Sequence, residues 1–149
     1  MGIASVGAKW PNDVVCDAGK LGGILTEVDG AGQTVIGLGL NVQFTNGPPA
    51  PHAISLAELM SLQPGSVDLF VANFIEELKF AEKLEPAALS RYVRKSLVTL
   101  GRFVRVSLPN NKSWNGFAED LDSDGALLVR DEFGGLHAQS ASEVEHLYQ

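Results

Sequence analysis

Short apolar blocks alternate with Gly- and Asp-containing breaks through the first forty residues. Ile3–Val6, Val14–Cys16, Leu21–Glu27 and Thr34–Val42 read as strands. Between the first two, Lys9–Asp13 makes a corner, because Pro11 fixes its own φ and biases the residue before it away from helix. Asp17-Ala18-Gly19 and "DGAGQ" supply the later turns, so the pattern predicts an antiparallel meander. "TNGPPAPH" (Thr45 to His52) is a loop, and "SLAELM" a short helix capped by its serine. Val67–Leu84 is the clearest helix: Phe70, Phe74, Leu78 and Ala81 recur every three or four residues, with Val67, Val71 and Ile75 beside them. Ser66 is placed to cap it, and Asp68 suits its positive end. Pro86 opens a further helix to about Leu97, with Leu89, Tyr92, Val93 and Leu97 on one face.

After Leu97 the texture changes. "GRFVRVSL", "KSWNGFAE", "GALLVRD" and "LHAQSA" are alternating strands separated by Pro-Asn-Asn, Asp-Ser-Asp-Gly and Phe-Gly-Gly turns, a pattern that suggests a small SH3-like β-barrel. The expected class is α+β: a mixed or antiparallel sheet packed with helices over 1–98, then the barrel over 99–149.

Composition narrows the function. With 45% hydrophobic residues the 149-residue chain can bury a core, and its formal net charge of -7 disfavours a nucleic-acid partner. The single cysteine, Cys16, sits in an apolar run and cannot form an internal disulfide, which fits a reducing compartment. No stretch has membrane-spanning length, no signal peptide opens the chain, and Val6 stands where a myristoylation signal needs Ser or Thr. A cytoplasmic protein with no membrane partner is expected.

The candidate chemistry lies in two glycine pairs and a corner. Gly22 and Gly23 interrupt one strand, behind Lys20, while Gly37 and Gly39 alternate in the next and so share a face. Glycine weakens a strand unless a ligand or another backbone must come close. Either a slot for a slim ligand with Lys20 at its mouth, or a helix packed tightly on the sheet, satisfies that pattern. The corner gathers Lys9, Trp10, Asn12 and Asp13, which is either a binding cluster or an Asx turn beside a packed tryptophan. Other signals are weaker. "DLDSDG" (Asp120 to Gly125), with Asp131 at the twelfth position, matches an EF-hand loop by letter but is flanked by strands and reads as an acidic hairpin turn. "GLGL" has the letters of a PDZ carboxylate-binding loop but lies inside a strand. His52, His137 and His146 have no metal-ligand spacing, and Asn111-Lys112-Ser113 is a glycosylation sequon by letter only.

"KWPNDV" (Lys9 to Val14), "KLGGILTE" (Lys20 to Glu27) and "VIGLGLNV" (Val35 to Val42) together resemble the biotin–protein ligases, the biotin–acetyl-CoA-carboxylase ligase family. "SLAEL" and the tail from "GRFVRV" to "SEVEHL" match the same family, in the same order. The resemblance implies a class II synthetase-like catalytic domain lacking its N-terminal part, since the family's Gly/Arg-rich loop precedes the corner and the first arginine here is Arg91. It implies ATP and biotin as substrates, with Mg2+, joined as biotinyl-5′-AMP before transfer to a lysine of a carboxylase's biotin carboxyl carrier domain. By the same resemblance Lys20 bridges the biotin carboxylate and the α-phosphate. Gly22, Gly23 and Ile24 form the biotin slot with Gly37 and Gly39. Asn41 meets the adenine side, and Asn12 the adenylate or its metal, with Lys9 and Trp10 in the same corner. Asp13 is offered as the carboxylate that orients the incoming amine and takes its proton. No protein metal site is expected. Sheet edges left bare would allow a homodimer. The rival readings are a noncatalytic binding or dimerisation module on the same fold, and a lipoate ligase.

Overall fold

The computed structural model describes residues 5–108 and 112–141. It is mixed α/β, with eight strands in two antiparallel sheets and three helices among the described residues. The chain divides into two compact units, one built on Asn12–Tyr92, the other on Ala8–Pro11 with the chain from Val93 onward. The first part of the corner thus groups with the C-terminal strands.

In the first unit β2 (Asp13–Cys16), β3 (Gly19–Val28) and β4 (Thr34–Leu40) form an antiparallel meander. Of the expected strand Ile3–Val6, Ile3 and Ala4 lie outside the described residues and Ser5 and Val6 are in no strand; β1 is Gly7–Lys9. On β3 and β4, Gly23 faces Gly39, Leu25 faces Gly37, and Glu27 faces Val35. Directly opposed residues share a face, so these six line one side. The other side carries Gly22, Ile24, Thr26 and Val28 opposite Leu40, Leu38, Ile36 and Thr34.

Pairing with β2 contains one irregularity. Asp13 opposes Gly23 and Val14 opposes Gly22, but Val15 opposes Lys20, so Leu21 is an extra residue in β3. A bulge of one residue reverses the alternation beyond it. Lys20 therefore shares the face of Gly23 and Asp13, although its spacing from Gly22 would put it on the other. Leu21 is buried, the one large apolar residue to be so in this unit among the described residues.

Three helices complete the first unit: α1 (Leu56–Leu59), α2 (Ser66–Ala81) and α3, which begins in it (Pro86–Ser96). Before α1 the Glu58 carboxylate accepts hydrogen bonds from the Ser55 backbone NH (3.0 Å) and hydroxyl (2.6 Å). α2 starts after Gly65, at φ 82°, instead of being capped by Ser66, whose hydroxyl accepts from the Gln63 NH. Its apolar stripe is only partly covered: Phe74, Leu78 and Ala81 are half-buried, while Val67, Phe70, Val71 and Ile75 remain exposed. The reading of the glycines as seats for a helix therefore has no support in burial.

The second unit has a core of its own. β5 (Phe103–Ser107), β6 (Ser113–Leu121), β7 (Leu127–Arg130) and β8 (Leu136–Gln139) pair in sequence order as an open antiparallel sheet, with no closed barrel among the described residues. Inward positions alternate along them, so Val104, Val106, Ala118, Leu121, Leu127 and Val129 pack together. Trp10 joins this cluster at 5% exposure. Its backbone NH donates to Thr99 Oγ1 (2.9 Å) and its indole Nε1 to the Gly125 carbonyl (3.0 Å). The Val98 NH donates to the Ala8 carbonyl, which ties the same segment to the strand unit.

The acidic stretch before β7 is a hairpin turn. The Asp122 carboxylate accepts from the NH groups of Asp124 and Ala126, and Asp120 is bound by Arg94. In the β7–β8 turn Asp131 accepts from the NH groups of Phe133 and Gly135 and pairs with His137 (2.6 Å). That histidine and the backbone donors hold the Asp131 carboxyl below the usual carboxylate range. The Asn111 sequon and His146 lie outside the described residues.

Three outcomes follow from this packing. A Cβ on Gly22 would lie 2.3 Å from the Gly39 carbonyl oxygen, whereas one on Gly37 meets nothing nearer than 3.7 Å. Gly22→Ala is expected to lower the denaturation midpoint measurably, and Gly37→Ala to leave it or raise it slightly, as circular dichroism melts will read. Trp10→Ala removes the largest core side chain of the second unit and should cost about 3–5 kcal/mol in urea unfolding. Because the Asp131 pKa is depressed on folding, its contribution is present above the ordinary aspartate value and is lost as pH falls through the folded one. Acidification below about pH 4 should move the Phe133 and Gly135 amide resonances before those of β5 and β6.

Candidate functional site

The glycine face of the first sheet gathers the charged pair and the open strip. The Lys20 ammonium lies 2.6 Å from Asp13 Oδ1, with 51% of the lysine side chain and 23% of the aspartate side chain exposed. Half-open, the cation is held by a carboxylate yet free to meet a ligand. Beyond the pair the face is bare where Gly23, Gly37 and Gly39 fall in adjacent register. Side chains there would fit: added Cβ atoms would sit 3.4–3.9 Å from the nearest atoms, ordinary or slightly tight contacts. Protein packing thus does not demand glycine at Gly37 or Gly39, while a flat ligand lying along the strip would.

The backbone at Lys20 is held more firmly than its side chain. Its NH donates to the His52 carbonyl (2.7 Å), and its carbonyl accepts from the Ile54 NH (2.9 Å). The Asn41 amide donates to the same Lys20 carbonyl (3.2 Å) and to the Ile54 carbonyl (3.1 Å). Gly19 makes room for this approach: a Cβ there would lie 2.2 Å from the His52 oxygen, and its φ is 149°.

Of the sequence-predicted residues, Lys20, Asp13, Gly23, Gly37 and Gly39 share one face. Gly22 and Ile24 point to the other, and Gly22 serves the close approach of β4. Asn41 directly follows β4, and its side-chain NH2 donates to backbone carbonyls. Asn12 is exposed, and its carbonyl accepts from the Ile24 NH, fixing the start of β2 against β3. Lys9 is half-buried and Trp10 buried, both in the segment that belongs to the second unit. Gly19, Leu21 and the His52–Ile54 segment were not singled out by sequence. Gly19 reads as an ordinary turn residue, and nothing local marks the 52–54 segment as a neighbour of Lys20. Among the described residues no group of three His, Cys, Asp or Glu side chains could hold a metal ion, and no helix is long and apolar enough to cross a membrane.

Residues 99–147 match the family model described as the biotin protein ligase C-terminal domain. A biotin–[acetyl-CoA-carboxylase] ligase of Mycobacterium tuberculosis is 36% identical over 148 residues, covering 97% of this chain and 54% of that protein. The bifunctional ligase/repressor BirA of Escherichia coli is 30% identical over 144 residues, covering 89% of this chain and 44% of that protein. Among solved structures, the biotin protein ligase from Aquifex aeolicus in complex with biotin and ATP superposes with a TM-score of 0.71 at 25% identity, over 97% of this chain and 62% of that one. The chain spans about half the length of the curated relatives it matches. By sequence and by fold it belongs to the biotin–protein ligase family, whose C-terminal domain it carries at residues 99–147.

Proposed function

We propose that the glycine face of the first sheet is the adenylating surface of a biotin–protein ligase. The observation that carries this reading is the Lys20–Asp13 pair beside the bare patch of Gly23, Gly39 and Gly37, bordered by Leu25. In the first step a biotin carboxylate oxygen attacks the α-phosphorus of ATP, and pyrophosphate leaves. Two anions must approach, so a fixed cation where charge develops lowers the barrier. Lys20 supplies it by turning from Asp13 to the carboxylate and α-phosphate lying over Gly23, Gly37 and Gly39. Mg2+ would come with ATP and neutralise charge on the leaving group, and Asn12 and Asp13 are oxygen donors of the type that would suit such an ion.

In the second step the amine of an acceptor lysine attacks the acyl carbon, and AMP departs. A free lysine near pKa ~10.4 is neutral about once in a thousand molecules at pH 7. Asp13, vacated by Lys20, orients that amine and accepts its proton. The acceptor is the biotin carboxyl carrier domain of a carboxylase. On this reading the first unit is part of a class II synthetase-like domain and the second an SH3-like one. Trp10 belongs to the core of the second unit's strands. The lone cysteine and the acidic charge suit a cytoplasmic enzyme that does not bind nucleic acid.

Titration calorimetry with a nonhydrolysable biotinyl-AMP analogue tests the reading. One-to-one binding is expected, weakened at least about tenfold by Lys20→Ala, the loss of one charge-assisted contact. Asp13→Asn should slow transfer from preformed biotinyl-AMP by about two to four orders of magnitude. Equal affinity of the wild-type chain and Lys20→Ala would overturn the assignment of the lysine, and unimpaired transfer by Asp13→Asn that of the base.

A further inference from the structure

Beyond the buried valines of the second unit, the core face of its sheet opens into a cavity of about 430 Å3. Trp114 opposes Val106 and His137 opposes Val129, both valines fully buried, so the indole and the imidazole stand on that face. Their rings meet edge to face, with centroids 5.2 Å apart. Leu108 lines the same space, and the turn between β7 and β8 adds Asp131, Glu132 and Phe133. The volume is that of a ligand pocket, well above a packing defect.

The turn holds these groups in a fixed arrangement. Asp131 Oδ1 accepts from the NH groups of Phe133 (2.9 Å) and Gly135 (2.8 Å). A Cβ on Gly135 would lie 2.8 Å from Asp131 Oδ2, so glycine there leaves room for the carboxylate to reach His137. Phe133 is thereby kept 89% exposed, a large aromatic ring standing in water. The wall is also anionic. His137 is the one basic group lining the cavity among the described residues, and it is spent on Asp131 at 2.6 Å. Arg130, next in the chain, is engaged by Glu119 and by the Gly134 carbonyl. Glu132 is exposed and makes no ion pair among the described residues.

This combination selects one class of ligand. An anion would face two carboxylates, and a purely apolar molecule would desolvate them without a partner. A cation on a methylene stem satisfies both halves of the wall. Its charge meets Glu132 and an aromatic face, and its stem lies along Leu108 and Trp114. We propose that the cavity is a binding site for an alkylammonium group, with Phe133 and Trp114 as its aromatic walls and Glu132 as its counter-charge. A free polyamine and a lysine side chain in a peptide share that chemistry. The site lies wholly in the second unit and is independent of whatever occupies the glycine face.

Titration of the isotope-labelled whole chain, followed by its amide and indole resonances, is the experiment. The probes are spermidine, acetyl-Gly-Lys-Gly-amide, and the same peptide with norleucine in place of lysine. Saturable shifts are expected at the Trp114 indole and at the Phe133 and His137 amides. Saturation by both charged probes assigns the site to the ammonium group alone, by spermidine only to a free polyamine, and by the lysine peptide only to a protein side chain. Phe133→Ala and Glu132→Gln, both at exposed positions, should each weaken the binding about two- to fivefold, the loss of one exposed cation–π contact or ion pair. Both should leave the melting midpoint in place. Equal shifts with the norleucine peptide, unchanged affinity in either variant, or no saturable shift with any probe overturns the proposal.

Discussion

One extra residue governs the geometry of the first unit. Leu21 sits in β3 without a partner in β2, and the alternation of side chains reverses there. Had the ladder run regularly, Lys20 would lie on the face of Gly22, Ile24, Thr26 and Val28, away from Asp13. With the bulge it lies on the face of Asp13, and the two meet at 2.6 Å. Bulges recur beside active sites because they re-aim a side chain without altering the rest of a strand. Burying the Leu21 side chain secures the irregularity, since slipping back into register would bring that leucine into water.

The glycines divide into two physical classes. Gly19 and Gly22 are glycine because a carbonyl oxygen occupies the space of a Cβ, so they are terms of the fold. Gly37 and Gly39 have room for a methyl group, and Gly23 nearly so; what they remove is a row of side chains from the lysine face. Only the second class is free of a packing demand for glycine. In the corner a similar division runs between adjacent residues. Trp10 is bound into the C-terminal core by packing and two hydrogen bonds, while Asn12 and Asp13 start the strand that carries the carboxylate.

Much of this was legible in the sequence because it is local. Short apolar runs and Gly/Asp turns gave β2, β3, β4 and the four C-terminal strands close to their observed bounds, and spacing gave α2 and α3. The sharing of a face by Gly37 and Gly39 follows from a period of two. The register between strands was not legible. Grouping Gly22 and Ile24 with the other glycines assumes that neighbours in sequence are neighbours in the slot, which the pleat forbids. The bulge has no composition signal, and the approach of His52–Ile54 to Lys20 spans more than thirty residues of chain. Trp10 had both readings open; burial against Val106 and Leu127 is a long-range fact that the corner's letters cannot carry.

On the proposed reading one face of this sheet, and not the other, receives the acyl-adenylate. Amide chemical-shift mapping of the labelled chain with a nonhydrolysable biotinyl-AMP analogue addresses it directly. The account predicts the largest shifts at Lys20, Gly23, Gly37 and Gly39, with Thr26 and Val28, whose side chains point the other way, little moved. Shifts centred on Thr26, Val28 and Ile36 would put the ligand on the opposite face and contradict it.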